Sequence, residues 1–259
     1  MEIMKKFLSL LLGMCFLLTG CTDVVNKTET QKPGQEKIVE IPAEEKGKSS
    51  LYGKIILIDA GHGINGSTEK EPVAPDSSEK KRAFVEGTRG KNQTEEELNL
   101  KVALKLEEVL KNEGADVYMT RREHECELSN VGRAELGNEL GADLVVRIHA
   151  DGNNNKNVSG ASCLIPGNKH IDDEELLEKS KMAGEIVLEE YVLETGAKNN
   201  GLAVRNDMTG FNWSKVPVIL MEIGFMTNPE DDALMETEEY QEKMVKGIKN
   251  GLERYFNEV

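Results

Sequence analysis

The sequence predicts an α/β fold: a single domain on a mostly parallel, twisted sheet, with helices on both faces. Two observations carry this prediction. From Lys54 onward, short apolar runs of strand length alternate with longer stretches of helical periodicity, the pattern of strands joined by crossover helices. No internal repeat and no second cluster of elements suggests a further domain, and a hydrophobic fraction of 38% over 259 residues is enough for one proper core.

The chain opens outside that pattern. Lys5 and Lys6 precede an apolar run from Phe7 to Leu18, the charged and hydrophobic regions of a secretory signal, too short for an ordinary membrane span. The run ends in Leu18-Thr19-Gly20-Cys21, which resembles the lipobox of bacterial lipoproteins. The expectation is a signal peptide over 1–20, cleavage before Cys21, and acyl chains on Cys21 that hold the mature chain at a membrane. Residues 22–50 mix Thr, Lys, Glu, Gln and Ser with Pro33 and Pro42 and cannot bury enough surface to fold. Residues 21–50 are therefore read as a tether, spanning roughly 30 Å on average and about 100 Å when stretched. The folded domain is placed at 51–259.

Within it, Ile55-Ile56-Leu57-Ile58 reads as a buried strand, and Asp59-Ala60-Gly61-His62-Gly63 turns the chain at its end. A long polar segment, 64–93, follows; a structureless loop of that length is usually functional or mobile. Thr94 can cap a helix and Glu97 can complete a capping box, with Leu98, Val102, Leu106, Val109 and Leu110 at helical spacing and Gly114 as the stop. Strands are expected at 117–120, 144–149, 161–165, 202–205 and 216–222, and helices at 129–140, 172–194 and 237–256, with Asn228-Pro229 as a further helix start.

The net charge of −15 excludes a basic nucleic-acid surface and implies repulsion from phosphate backbones and anionic lipids. Cys126 and Cys163 fit no metal or redox spacing and are read as ordinary thiols. His124 and His170 lie in charged, polar surroundings and are read as surface residues.

Three strands share a peculiarity: each buried run delivers a chemically capable side chain at its far end, namely His62, His149 and Glu222. In a parallel sheet those ends lie along one edge, where ligand sites form. Two histidines and an acid there suggest a metal site or an acid/base pair. Zinc fits the former, because three protein ligands leave a fourth position for water. Glu95, in the first turn of the helix after the long segment, faces the same edge and offers a third ligand, with Glu96 and Glu97 competing for the role. Glu222 stands in a run so apolar that its carboxylate is costly to desolvate unless paired or used, and beside a dication it could act as a general base.

The arrangement resembles the zinc-dependent N-acetylmuramoyl-L-alanine amidases of the Amidase_3 type. The resemblance rests on Asp59-Ala60-Gly61-His62-Gly63, Glu95 with Leu98-Asn99-Leu100, Thr120-Arg121, Ile148-His149-Ala150-Asp151, and Glu222-Ile223-Gly224-Phe225 followed by Asn228, in the family's order over Lys54 to Phe256. Ala60 stands where family members commonly have Pro, and Glu96 where a basic or aromatic residue is common. The resemblance implies one Zn2+ held by His62, Glu95 and His149, Glu222 as the catalytic glutamate, and hydrolysis of the amide joining N-acetylmuramic acid to L-alanine in peptidoglycan. The chain is expected to act as a monomer facing the cell wall, with the loop bearing Arg205 and Trp213 beside the substrate. The rival expectation is a non-catalytic lipoprotein of the same fold that binds or regulates at the wall.

Overall fold

The structure is a computed structural model and describes residues 49–259. The expected signal peptide, Cys21 and nearly all of the tether lie outside the described residues. In chain order the elements are β1 (Ile55–Ala60), β2 (Lys70–Pro72), β3 (Lys80–Arg82), α1 (Glu95–Asn112), β4 (Asp116–Met119), α2 (Asn130–Leu140), β5 (Leu144–Asp151), β6 (Ala161–Pro166), α3 (Glu174–Thr195), β7 (Asn199–Arg205), α4 (Thr209–Asn212), β8 (Val218–Phe225), α5 (Pro229–Met235) and α6 (Glu238–Glu258). Local sequence sets most boundaries. Thr94 and Glu97 form the capping box of α1, Ser129 and Asp173 cap α2 and α3, and Gly141 and Gly196 end those two helices in the left-handed conformation.

Six strands form one sheet in the order β4-β1-β5-β8-β6-β7. β4, β1, β5 and β8 are mutually parallel neighbours, whereas β6 runs antiparallel to β8, and β7 is parallel to β6. The reversal follows from connection length. Only residues 152–160 join β5 to β6, fewer than the dozen or so a parallel crossover needs, so the chain turns back on itself. α3 then supplies the crossover between β6 and β7.

Alternation along the strands sends side chains to two unequal layers. Ile56, Ile58, Leu144, Val146, Ile148, Ile219 and Met221 pack beneath α1, α3 and α6 in the main core. Leu57, Val145, Val218 and Leu220 face α2 and α4 in a smaller core that includes Phe211. Truncating a fully buried residue of the main core, such as Leu106→Ala, costs about 2–5 kcal/mol. The smaller layer gives way to polar groups toward the C-terminal ends of the parallel strands: Leu57 is followed on its face by Asp59, Val145 by Arg147 and His149, and Leu220 by Glu222.

The segment 64–93 is not structureless. It contains the β2–β3 hairpin and is fastened to the α2/α4 layer, where Trp213 Nε1 donates to the Pro72 carbonyl at 3.0 Å and Asn212 Nδ2 to that of Val73 at 3.1 Å. These long-range bonds have no local sequence signature.

Candidate metal centre and active site

The turn after β1 is held in an unfavourable backbone conformation. His62 has φ 60° and Gly63 φ 136°; the first is uncommon for a non-glycine residue and persists only where its surroundings over-determine it. Here two arginines clamp three successive carbonyls. Arg121 donates from Nε to Ala60 and from Nη2 to Gly61, both at 2.9 Å, and Arg133 donates to the Ala60 and His62 carbonyls. Behind them Asp59 is buried and accepts from Thr120 Oγ1, Arg133 Nη1 and Arg147 Nε. Burial works to raise the Asp59 pKa, but the flanking guanidinium groups of Arg133 and Arg147 outweigh it and hold the carboxyl well below the usual range.

The clamp aims His62 at two partners. Its Nδ1 lies 2.7 Å from the Val85 carbonyl, a contact that requires Nδ1–H and, in the neutral tautomer, leaves a lone pair on Nε2. That Nε2 is 2.9 Å from Glu95 Oε1 and 3.1 Å from His149 Nδ1, and Oε1 is itself 3.1 Å from His149 Nδ1. Two lone-pair atoms facing each other across 2.9 Å are stabilised only by a proton or cation between them. The spacing is close to the edge of about 3.3 Å that a tetrahedral ion imposes with bonds of about 2.0 Å.

Protonation states agree with the donor set. Burial pushes His149 down to about 4, against the pull of Glu95, so its ring is neutral at pH 7. Burial works to raise Glu95, yet the two imidazoles that meet its Oε1, His149 first and then His62, hold it well below the ordinary carboxylate range. Thr88 N and Ala150 N also donate to Glu95, fixing the carboxylate from both sides. Neutral imidazole and ionised carboxylate are what a divalent metal requires, and two nitrogens with one oxygen suit zinc better than the all-oxygen shells of Mg2+ or Ca2+. His62, Glu95 and His149 are the group among the described residues that offers three such atoms within 4.8 Å of one another. The residues present therefore fit the ion.

Glu96 and Glu97 turn elsewhere. Glu96 pairs with His124 Nδ1 at 2.9 Å, and Glu97 closes the cap of α1. His170 is not the open surface residue expected from its polar neighbours, because its side chain is largely covered and pairs with Asp76 at 2.9 Å. Cys126 and Cys163 are both buried and free.

Glu222 is the register partner of His149 across β5 and β8. Both strands run past the site instead of ending at it, since they continue to pair as far as Asp151 and Phe225 through a bulge. Glu222 Oε2 is buried without a partner. Desolvation, reinforced by the charges of Glu95 and Asp151, raises its pKa well above the ordinary value. An acid with a raised pKa at the wall of a cleft is a candidate for proton transfer. That cleft, of about 500 Å3, is lined by Glu95, His62 and His149 together with Glu222 and Arg205.

Residues 56–254 match the Amidase_3 family, described as N-acetylmuramoyl-L-alanine amidase. The chain belongs to this family. It is 27% identical over 269 residues to the germination-specific N-acetylmuramoyl-L-alanine amidase of Bacillus subtilis, covering 98% of this chain and 95% of the relative. Its fold is similar to that of Ami1 from Mycobacterium smegmatis, with a TM-score of 0.74 at 23% identity over 82% of this chain and 100% of that one. An N-acetylmuramoyl-L-alanine amidase from Clostridium difficile 630 gives a TM-score of 0.64 at 28% identity over 79% and 97% of the two chains.

Three features of this amidase-family site were beyond sequence reasoning. Arg133 and Arg147 flank Asp59 from α2 and β5, a three-residue ion cluster that no spacing announces. Val85 orients His62 from the middle of the long polar segment. Gly61 supplies bare backbone against the His149 ring, where a Cβ would stand 2.5 Å from two ring atoms. Trp213, expected beside the substrate, instead braces the hairpin through Pro72.

Proposed function

We propose that the chain is a zinc-dependent hydrolase that cleaves the amide between N-acetylmuramic acid and L-alanine in peptidoglycan, held at the outer face of the cell membrane by a lipid on Cys21. The observation that carries this reading is the meeting of His62 Nε2, Glu95 Oε1 and His149 Nδ1 beside the unpartnered carboxylate of Glu222, in a chain of the amidase family. The names of its relatives supply the substrate, and the signal-like N-terminus supplies the location. Among the described residues no helix is long and apolar enough to cross a membrane.

His62, Glu95 and His149 would hold the ion. Bound there, Zn2+ would supply Lewis acidity, polarising the scissile carbonyl and lowering the pKa of water toward about 7. Glu222 Oε2 takes the proton of the attacking water as the new C–O bond forms. When the C–N bond breaks, Glu222 returns that proton to the amine of L-alanine, so one group serves as base and then acid. Its raised pKa suits the second half of that cycle, because a carboxyl that holds a proton more tightly than an ordinary one can retain it until the amine leaves. Arg121 and Arg133 hold the turn that aims His62. Asp59, fixed by Arg133 and Arg147, holds that turn from beneath.

The test is mass spectrometry of muropeptides after purified, zinc-loaded protein has acted on isolated cell walls. The expected products are stem peptides with a new alanine amino terminus; a chelator abolishes them and added zinc restores them. Release of acetate instead, or binding to walls without any cleavage, would overturn the assignment.

A further inference from the structure

Bond cleavage leaves the cationic side of the cleft without a task. Arg205 is the last residue of β7, on the same face of the sheet as Ala203 in the smaller core, and its side chain lines the cleft together with Leu164, Leu220 and Glu222. It is held by a fork: Nε donates to Asp207 Oδ1 at 2.8 Å and Nη2 to Oδ2 at 3.0 Å. Asp207 is in turn fixed by Lys81 Nζ, which donates to its backbone carbonyl at 2.7 Å and to Oδ2 at 3.2 Å. The guanidinium is thereby oriented, while Nη1 makes no hydrogen bond among the described residues. Its side chain is 40% exposed, open to a ligand in the cleft.

The other charged side chains of that cleft are the carboxylates Glu95, Asp151 and Glu222, in a chain of net charge −15. Among the side chains lining the cleft Arg205 is the permanently cationic one, so an acidic group of a ligand that lies away from the metal ligands is attracted there. The two halves of the proposed substrate differ in this respect: N-acetylated sugars are neutral, whereas the stem peptide carries carboxylates. A pre-oriented guanidinium with free donors matches a carboxylate in shape and charge, and it gains far less from a neutral amide or hydroxyl.

We propose that Arg205 recognises a carboxylate of the stem peptide, and so seats the peptide toward β7 with its amide to the sugar beside Glu222. This rests on the amidase reading above and adds which part of the substrate the cleft selects. Arg205 is then a specificity residue, with Asp207 and Lys81 as the groups that position it.

The experiment compares parent, Arg205→Gln and Arg205→Lys, all zinc-loaded, on two soluble muropeptides that differ only in whether the α-carboxylate of the second stem residue is free or amidated. Release of the alanine amino terminus gives kcat and KM. A charge-assisted hydrogen bond lost in a partly shielded cleft corresponds to roughly ten- to hundredfold in affinity. The parent is expected to prefer the free acid by about that factor, and Arg205→Gln to raise KM for the free acid accordingly with kcat little changed. KM for the amidated substrate should stay at the parent value, and Arg205→Lys should recover part of the preference. The amidated substrate is the control for folding, since a purely structural role of the Arg205–Asp207 pair would weaken both substrates alike. That equal weakening, or no change in either, overturns the proposal while leaving the amidase assignment intact. A parent that releases no alanine amine from either substrate overturns the assignment, and the proposal with it.

Discussion

Gly61→Ala isolates the contact on which the geometry of the site depends. A Cβ at position 61 would stand 2.5 Å from Cε1 and Nε2 of His149 and 2.7 Å from Cδ2. Carbon atoms in good contact are about 3.5–4.0 Å apart, so the ring must retreat by about 1 Å or the turn must lift by as much. Gly61 is not among the residues of positive φ, so alanine adds volume there without backbone strain. Neither partner yields easily: the turn is clamped by Arg121 and Arg133, and the ring belongs to a strand paired on both sides. Overpacking of this kind costs about 1–3 kcal/mol, and for a domain of this size each kcal/mol lowers the Tm by roughly 2–4 °C. The larger effect is on the ligand set, because a shift of about 1 Å displaces His149 Nδ1 relative to His62 Nε2 and Glu95 Oε1. Disturbing the support of a metal ligand typically costs 10–100-fold in metal affinity, and the same is expected here. Zinc affinity is measured by competition with a chelating dye, and stability by thermal unfolding of the metal-free protein. Affinity within twofold of the parent together with an unchanged Tm would show that the ring and the turn are not in the contact described, and the reasoning would fail.

Glu222→Gln is expected to lower kcat at least a hundredfold at pH 7 while zinc stoichiometry stays at one per chain; near-parent turnover would remove Glu222 from proton transfer. The same substitution should stabilise the metal-free protein at neutral pH. Because the folded-state pKa of Glu222 is raised, the folded chain binds the proton more tightly than the unfolded one, so stability is lost as pH rises above the unfolded value of about 4.3. The gap in Tm between Glu222→Gln and parent should therefore be present at pH 7 and close near pH 4, and a gap independent of pH would contradict the assigned burial. Asp59→Asn leaves Arg133 and Arg147 buried beside a neutral amide and should cost about 3–5 kcal/mol in urea unfolding at pH 7. The Asp59 pKa is depressed in the folded state, so its contribution is complete above the unfolded value of about 3.9 and fades as pH falls below it. A deficit that does not shrink in acid would argue against ionised Asp59 as its source.

How much of this site can be read from the sequence follows the range of the interactions that build it. The end of β1, the capping box at Thr94 and Glu97, and the apolar runs leading to His149 and Glu222 are local patterns, and the parallel-sheet rule is enough to bring their ends to one edge. Choosing Glu95 over its neighbours needs more, because three successive acids at a helix N-terminus look alike in sequence, and only the direction each points separates a partner of His62 from a cap or a partner of His124. The antiparallel β6 was open to inference, since the short 152–160 connection rules out a crossover. The Asp59 cluster was not, because α2 and β5 bring Arg133 and Arg147 to it from 74 and 88 residues away. The same is true of Val85 at His62 and of Trp213 at Pro72. Local patterning thus indicates which side chains could do chemistry, while their orientation and protonation depend on contacts between distant segments. A chain with the same strand-end histidines and acid but without Arg121, Arg133 and the Val85 carbonyl would have nothing to hold His62 in its left-handed turn. It would keep the motif and lose the geometry that the motif serves.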